Sequence, residues 1–462
     1  MSTLSSDLLL IQPPTYGAFS PPLGLATLAG YLRANGIAVK ALDYNIDFYN
    51  YVPKELRGAW NSGGSMGKWT EAYPDTYKPL FREFVKRVVR DYMMHNPKYV
   101  GISLLQSGVE ATYDLIDTIR EYLGQDVKII VGGPHIGRDE AEEFLTKRNV
   151  LCAFQGEAEI GLLRFLQQSR EEAGPRMREI PGAFFIEDGQ IVGTGTQALH
   201  DIETLPYPDF SDFNLESYAF KEKLLPITTS RGCVAKCTFC GETNFMDRFR
   251  QVTAKRIVGE IRHGMEKHGV SVFRLNDSLI NGNPKILEGW IDELLETDIK
   301  IVFGAAQARI SDKMTPVLLD KLQRAGCYLI QYGVETGSDR MLKIMRKGIT
   351  SRLALDVIHR TKKAGIVVQI NIIVGHFNET LSDFLKTLFF IFKGRKDIDV
   401  INISHYGFDK RSPDTANSEK NGITNKFSEH WKAPGWQNNF RVRTIKANLV
   451  LGLMKLLGMR EP

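Results

Sequence analysis

The sequence predicts an α/β chain: a Rossmann-like doubly wound domain followed by a partial (β/α)6 barrel of the TIM type. Three observations predict it. Short apolar runs alternate with stretches of helical spacing from Asp7 to Leu166 and again from Pro226 to residue 408, the pattern of parallel sheets covered by helices. Between them, Gly174-Pro175, Pro181-Gly182 and Pro206-Tyr207-Pro208 punctuate a connector. Strand ends in both halves carry small or polar residues, where α/β folds collect chemistry. The expected divisions are 1–169, a connector over 170–225, a barrel over 226–408 and a C-terminal cover over 409–462.

Leu8-Leu9-Leu10-Ile11 reads as a buried strand stopped by Pro13-Pro14. Leu25, Leu28, Ala29 and Leu32 recur at helical spacing, and Gly36 fits the position after that helix. Val39 to Leu42 is a second strand with Asp43 at its tip. Residues 50–75, rich in Gly, Trp and Tyr, break the pattern and read as an insertion or lid loop. A helix from Lys78 to His95, a strand from Tyr99 to Ser103 and a helix over 109–123 follow. Val127 to Val131 is a strand ending in Gly132-Gly133-Pro134-His135, and Val150 to Phe154 one ending in Gln155-Gly156-Glu157-Ala158-Glu159. Small or polar residues at these ends (Ser103, Gln106, Gly132, Gly133 and Gly156) let a large flat ligand approach the sheet edge. No G-x-G-x-x-G follows the first strand, which argues against a nicotinamide site. Ala183 to Ile186 and Gln190 to Gly193 form a hairpin across Asp188-Gly189.

Pro226-Ile227-Thr228-Thr229-Ser230 is a strand running into Cys233, Cys237 and Cys240, spaced C-x3-C-x2-C. Thiolates are soft ligands for iron–sulfur clusters or zinc. A structural zinc site wants four closed ligands, and no fourth Cys is near; the nearest His is His263 on the next predicted helix. Three thiolates on one loop can hold three corners of a 4Fe-4S cluster and leave one iron open. Zinc with a distant fourth ligand is the alternative. Strands are then expected over 270–276, 299–306, 328–334, 367–374 and 398–406, with helices over 253–267, 284–296, 312–325, 351–364 and 379–393.

The segment Arg231-Gly232-Cys233-Val234-Ala235-Lys236-Cys237-Thr238-Phe239-Cys240 resembles the signature of the radical S-adenosylmethionine family. The resemblance implies that the open iron binds S-adenosylmethionine, which is cleaved to a 5′-deoxyadenosyl radical. Phe239 would shield the cluster or contact adenine, or pack under the loop. Asn276 and Asp277 would accept from the cosubstrate ammonium, or cap a turn; Arg309 would pair with its carboxylate. Gly333-Val334-Glu335-Thr336-Gly337-Ser338 resembles the family's Gly-x-Glu-Ser-Gly element. Glu335 would then meet a ribose hydroxyl or the ammonium, or else make a salt bridge. Met345-Arg346-Lys347-Gly348 resembles the basic turn that follows. Gly375-His376-Phe377-Asn378-Glu379-Thr380 departs from the family's Gly-Leu-Pro-Gly-Glu-Thr at three positions. Cys152 and Cys327 read as thiols packed in the sheets.

The N-terminal half resembles the cobalamin-binding domain of one branch of that family, through Pro21-Pro22-Leu23-Gly24-Leu25-Ala26, Val100-Gly101-Ile102-Ser103, Gly132-Gly133-Pro134-His135 and Gly156-Glu157-Ala158-Glu159. Ser103, Gln106, Gly132, Gly133, His135, Gly156 and Glu157 are its candidate contacts. The chain lacks D-x-H-x-x-G, so the resemblance implies base-off cobalamin without a protein histidine on cobalt. It further implies methylation of an unactivated carbon or phosphorus, with an oxidative cyclase or rearrangement enzyme as the alternative and an electron donor such as flavodoxin or ferredoxin as partner. A reading of another class is a non-catalytic module that senses cobalamin or metal.

The chain has 462 residues and a net charge of +5, which does not mark a nucleic-acid binder. Three clustered cysteines among five argue against a disulfide scaffold and for a reducing, cytoplasmic setting. No signal peptide and no run of about 18 apolar residues is seen. Residues 409–440, with Trp431 and Trp436, are expected to cover the barrel mouth. Lys446 to Met459 reads as a helix docked on the barrel, or as an interfacial helix touching membrane or a lipid-like substrate.

Overall fold

The computed structural model describes residues 6–60, 65–195, 199–304, 306–427, 430–435 and 437–461. The chain divides into two compact units, Met1–Leu224 and Leu225–Pro462. Among the described residues, no helix is long and apolar enough to cross a membrane.

The first unit is built on a seven-stranded sheet of β1 (Leu8–Gln12), β2 (Val39–Asp43), β3 (Tyr99–Ser103), β4 (Ile129–Gly133), β5 (Cys152–Gln155), β6 (Ala183–Glu187) and β7 (Gln190–Gly193). Its order is β2-β1-β3-β4-β5-β6-β7. The first five strands are parallel, and the β6–β7 hairpin extends the sheet antiparallel beyond β5. β1 is an unbroken apolar run because both of its faces are covered; all five residues are buried. Helices α1 (Leu23–Ala34), α2 (Tyr44–Tyr51), α3 (Ser65–Ala72), α4 (Lys78–His95), α5 (Val109–Leu123), α6 (Arg138–Lys147) and α7 (Glu159–Gln168) connect the strands. The order reverses between β1 and β3, the switch point at which doubly wound sheets receive ligands.

Residues 50–75 are not a loop. A 3-10 turn (Lys54–Trp60), α3 and a π turn (Tyr73–Tyr77) run into α4; residues 61–64 of this stretch lie outside the described ones. Trp69, Tyr73 and Tyr77 stand at i, i+4 and i+8, so all three rings fall on one helical face. They are buried, with Trp69 stacked 4.6 Å from Tyr77 and edge-on to Trp60 at 5.1 Å. The composition suggested a loop; the aromatic spacing is what the fold obeys.

The second unit contains β8 (Leu224–Ile227, at the boundary), β9 (Ser230–Arg231), β10 (Arg250–Gln251), β11 (Val272–Leu275), β12 (Val302–Gly304), β13 (Ala306–Ala308), β14 (Leu329–Glu335), β15 (Val367–Val374) and β16 (Val400–His405). Its helices are α8 (Glu242–Met246), α9 (Ala254–His268), α10 (Pro284–Leu295), α11 (Pro316–Arg324), α12 (Asp339–Ile344), α13 (Ser351–Lys363), α14 (Leu381–Gly394), α15 (Pro413–Ala416) and α16 (Phe440–Leu457). Hydrogen bonding gives two main sheets, β12-β11-β8 and β13-β14-β15-β16, with β9 and β10 a separate short pair. The third predicted strand is seen as β12 and β13 on either side of residue 305, which lies outside the described residues.

β15 alternates strictly between buried and half-buried residues. Ile330, Tyr332 and Val334 of β14 and Val368, Ile370 and Ile372 of β15 form a buried apolar face. The other face carries amides: Gln331 Nε2 donates to Asn371 Oδ1 at 2.8 Å, and Asn402 Nδ2 donates to the same oxygen at 3.3 Å. A parallel strand covered on both sides is usually apolar on both, so the amide face marks a wetter space.

α14 starts with a capping box, Thr380 with Asp383. Asp383 is buried and also bound by Ser338 and Arg340. Burial alone would raise its pKa, but Arg340 and the hydroxyls of Ser338 and Thr380 hold it well below the usual carboxylate value of 3.8. The stability this gives is complete above that value and is lost as pH falls through the depressed one. Asp383→Asn should therefore cost on the order of 2 kcal/mol at pH 7, with the difference shrinking toward pH 2. Urea unfolding followed by circular dichroism across this range checks it.

Candidate functional site

β8 and β9 deliver the chain to the cysteine loop. Gly232 has φ +82°, and a Cβ there would lie 2.7 Å from the Arg248 carbonyl oxygen, so only glycine makes this turn. Cys237 is buried; Cys233 and Cys240 are half-buried. Each sulfur accepts one N–H: Cys233 from Ala235 N at 3.4 Å, Cys240 from Glu242 N at 3.4 Å, Cys237 from Arg309 Nη1 at 3.6 Å. Burial nevertheless pushes the Cys240 thiol up to about 11 and that of Cys233 upward, against these N–H contacts. Donors aimed at sulfurs that resist ionisation suit thiolates whose charge is met by bound metal. Among the described residues, no three His, Cys, Asp or Glu side chains sit close enough to share one metal ion. A cluster, in which each thiolate takes its own iron, does not ask that of them.

Asp277 is buried at the end of β11. Its Oδ1 receives Thr229 N at 2.9 Å, Thr229 Oγ1 at 3.1 Å, Ser230 Oγ at 2.8 Å and Ser230 N. That oxygen fixes the strand feeding the cysteines, while Oδ2 is buried without a partner. Burial pushes the Asp277 carboxyl up to about 6 despite these donors. Asn276, beside it, is exposed at the strand tip.

Arg309 turns its guanidinium to Cys237 and to the Lys347 carbonyl oxygen. Asn281 holds the Arg309 backbone from both sides, accepting from its N–H at 3.0 Å and donating to its carbonyl at 2.9 Å. Glu335 has φ +70° and forms a buried ion pair with Lys347 at 3.1 Å. A Cβ at Gly333 would come within 2.6 Å of Glu335 Oε1, which explains the glycine two residues before the acid. Lys347 Nζ lies 5.9 Å from the Phe239 ring centroid, and Thr238 N donates to the Met345 carbonyl at 3.1 Å. The structure thus brings Phe239, Arg309 and Glu335 to the cysteine loop and uses Asp277 to hold it. Lys347 and Asn281 were not among the expected site residues. The basic turn was visible in the sequence, whereas no local signal singles out Asn281.

The divergent turn after β15 closes over the same loop. His376 is buried, accepts the Asn378 N–H on Nδ1 at 3.1 Å and has Nε2 3.4 Å from Asp414 Oδ2. Asp414 also accepts from Tyr406 at 2.9 Å and from Thr238, within the cysteine loop, at 3.1 Å. Phe239 packs against the cluster of Tyr406, Ile423 and Trp431. Trp431 thus packs beside the cysteine loop; Trp436 is outside the described residues. Cys152 and Cys327 are buried in the sheets, with their thiols pushed up by desolvation, the latter to about 12.

In the first unit the ladder sets Ser103 beside Gly132, and Gly133 beside Gln155. Gly133 has φ +117°, and a Cβ there would fall 2.6 Å from the Leu104 carbonyl oxygen. Gly156 has φ +73°. Gln106 is exposed in a 3-10 turn, while Glu157 and His135 are half-buried, with His135 Nε2 4.0 Å from Glu140. These residues share the carboxyl edge of β3, β4 and β5.

Residues 227–391 match the Radical SAM superfamily model. The chain is 23% identical to an uncharacterized methyltransferase of Pyrococcus horikoshii, over 85% of this chain and 78% of that protein. It is 23% identical to the cytidylyl-2-hydroxyethylphosphonate methyltransferase of Streptomyces wedmorensis, over 77% and 68%. Among solved structures, the cobalamin-dependent S-adenosylmethionine radical enzyme OxsB, with aqua-cobalamin and S-adenosylmethionine bound, superposes with a TM-score of 0.67 at 16% identity. That match covers 99% of this chain and 62% of OxsB, so the chain spans less than two thirds of that protein. The methyltransferase TsrM of Kitasatospora setae, with cobalamin and a [4Fe-4S] cluster, superposes at 0.64 and 17% identity, over 88% and 74%.

Asp277→Ala should leave the four donors on Thr229 and Ser230 without their acceptor, costing about 3 kcal/mol and loosening the loop. Asp277→Asn keeps an acceptor and removes a buried charge, so it should cost about 1 kcal/mol or less. Urea unfolding, with iron content after anaerobic reconstitution, distinguishes the two variants.

Proposed function

We propose that this chain, a radical SAM enzyme by the domain at residues 227–391, is a cobalamin-dependent methyltransferase acting on an unactivated carbon or phosphorus centre. The observation that carries the radical chemistry is the cysteine loop. Three sulfurs lie within eight residues, and each accepts an N–H from a group that the fold holds in place. When bound, a 4Fe-4S cluster supplies the electron that cleaves S-adenosylmethionine, and cobalamin supplies the transferable methyl group.

The chain's own residues would do the positioning. Cys233, Cys237 and Cys240 would hold the cluster. Arg309 places a positive charge on the Cys237 sulfur, which favours the reduced form of any metal centre there. Asn276, exposed at its strand tip, would accept from the cosubstrate ammonium. Glu335 would reach a ribose hydroxyl or the ammonium while Lys347 holds it by the buried ion pair. Phe239 would exclude water from the sulfurs. Cobalamin would rest on the glycine-rich edge formed by Ser103, Gln106, Gly132, Gly133 and Gly156, flanked by His135 and Glu157. The amides Gln331, Asn371 and Asn402 offer neutral donors and acceptors to a small-molecule substrate. The two named methyltransferase relatives support this reading over the others.

A relative of another activity, the anaerobic magnesium-protoporphyrin IX monomethyl ester cyclase of Rubrivivax gelatinosus, is 25% identical over 79% of this chain and 61% of that protein. It makes cyclisation the second reading. Protein reconstituted anaerobically with iron, sulfide and hydroxocobalamin should be brown. With reduced flavodoxin, S-adenosylmethionine and a set of candidate acceptors, it should release both 5′-deoxyadenosine and S-adenosylhomocysteine. 5′-Deoxyadenosine alone would point to the cyclase. A colourless protein with stoichiometric zinc would point to a sensor. Cys237→Ala should remove the cluster absorbance and both products.

A further inference from the structure

Two helices of the second unit turn apolar side chains to solvent. α14 buries Phe384, Thr387, Phe390 and Ile391, while Leu381, Leu385, Phe389 and Phe392 are each 45–56% exposed. The exposed four recur at i, i+4, i+8 and i+11, one stripe of a helix. α16 packs against α14 and buries Arg443, Lys446, Ala447, Val450 and Met454. Its outer stripe is Ile445, Leu449 and Leu456, at 57, 52 and 82% exposure. Single exposed leucines need no explanation; two stripes on touching helices do.

The charges on these stripes are mainly basic, with Asp397 and Glu461 the acids just beyond their ends. From Leu381 to Lys396 the sole acid is Asp383, which is buried against Arg340. From Phe440 to Arg460 there is no Asp or Glu. Lys386, Lys393, Arg395 and Lys396 are exposed on and just beyond α14, as are Arg441, Lys455 and Arg460 around α16. Lys393 Nζ lies 4.6 Å from the Phe389 ring centroid, and the Arg395 guanidinium lies 4.3 Å from that of Phe392. Aromatic and aliphatic bodies with cationic rims suit a bilayer interface whose headgroups are anionic. A second copy of the chain would bring the same basic rim and be repelled.

We propose that the α14–α16 face docks onto the surface of an anionic phospholipid membrane. The helices lie on the bilayer as part of the folded unit, because α16 is locked down by its buried cations. Lys446 pairs with Glu379 at 2.7 Å, and Arg443 lies 3.9 Å over Trp431. The proposal is independent of the reaction assigned above.

Sedimentation of the full chain with vesicles tests it. The protein should pellet with vesicles of equimolar phosphatidylcholine and phosphatidylglycerol, stay in the supernatant with phosphatidylcholine alone, and lose binding as salt rises. The variant Leu385→Gln/Phe389→Gln/Leu449→Gln should weaken partitioning on the order of tenfold or more. Lys393→Glu/Arg395→Glu/Lys455→Glu should do so on the order of tenfold or more as well. All six side chains are exposed, so thermal melting of both variants should match the parent. No pelleting with the anionic vesicles, or equal pelleting of parent and both variants, would overturn the proposal. So would a dimer seen by sedimentation velocity that the apolar variant loses, without vesicle binding, since it would give the face to a second copy.

Discussion

Three thiols confined to eight residues cannot hold themselves in place. A loop that short has no core, and its N–H groups and sulfurs must be met by groups arriving from elsewhere in the chain. Asp277 meets the strand before the loop, Arg309 meets Cys237, the carbonyl of Met345 meets Thr238 N, and Asp414 meets the Thr238 hydroxyl. These partners come from the ends of β11 and β13, the turn after α12, and α15. The cysteine loop is therefore where the strands of the second unit are tied together at their carboxyl ends.

That tying is done with buried charge. Glu335 with Lys347 and Glu379 with Lys446 are ion pairs whose members are all nearly inaccessible. Such pairs gain little over apolar packing, but breaking one leaves an uncompensated charge. They therefore define one arrangement of turns more than they add stability. Lys446 Nζ reaches Glu379 Oε2 and Asn438 Oδ1, while Gly375 N donates to the same Glu379 oxygen. A Cβ at Gly375 would lie 2.4 Å from Arg443 Cγ. The C-terminal helix is thus built into the turn after β15 through its buried Lys446 and Arg443.

The amide-lined face of β14–β16 has the opposite logic. Its polar groups satisfy one another only in part, as expected where a space stays open to solvent or ligand. The apolar stripes of α14 and α16 add a third kind of surface. One unit thus pairs a polar sheet face with an apolar, basic helix face.

Periodicity with its Gly and Pro stops carried the α/β class, most of the parallel strands and the lengths of most helices, because alternation and 3.6-residue spacing are local properties. The C-x3-C-x2-C spacing likewise marked out the cysteine loop, since three soft ligands that close together in the chain are a local feature. Residues 50–75 were misread because Gly and Trp content outweighed the spacing of Trp69, Tyr73 and Tyr77. The side-chain assignments needed the tertiary structure. Asp277 holds backbone, Arg309 faces sulfur, Glu335 meets Lys347, and Lys446 is buried, because each partner is 12 or more residues away. A sequence shows which charges exist; which of them lose water, and against what, is decided only when distant turns are packed together.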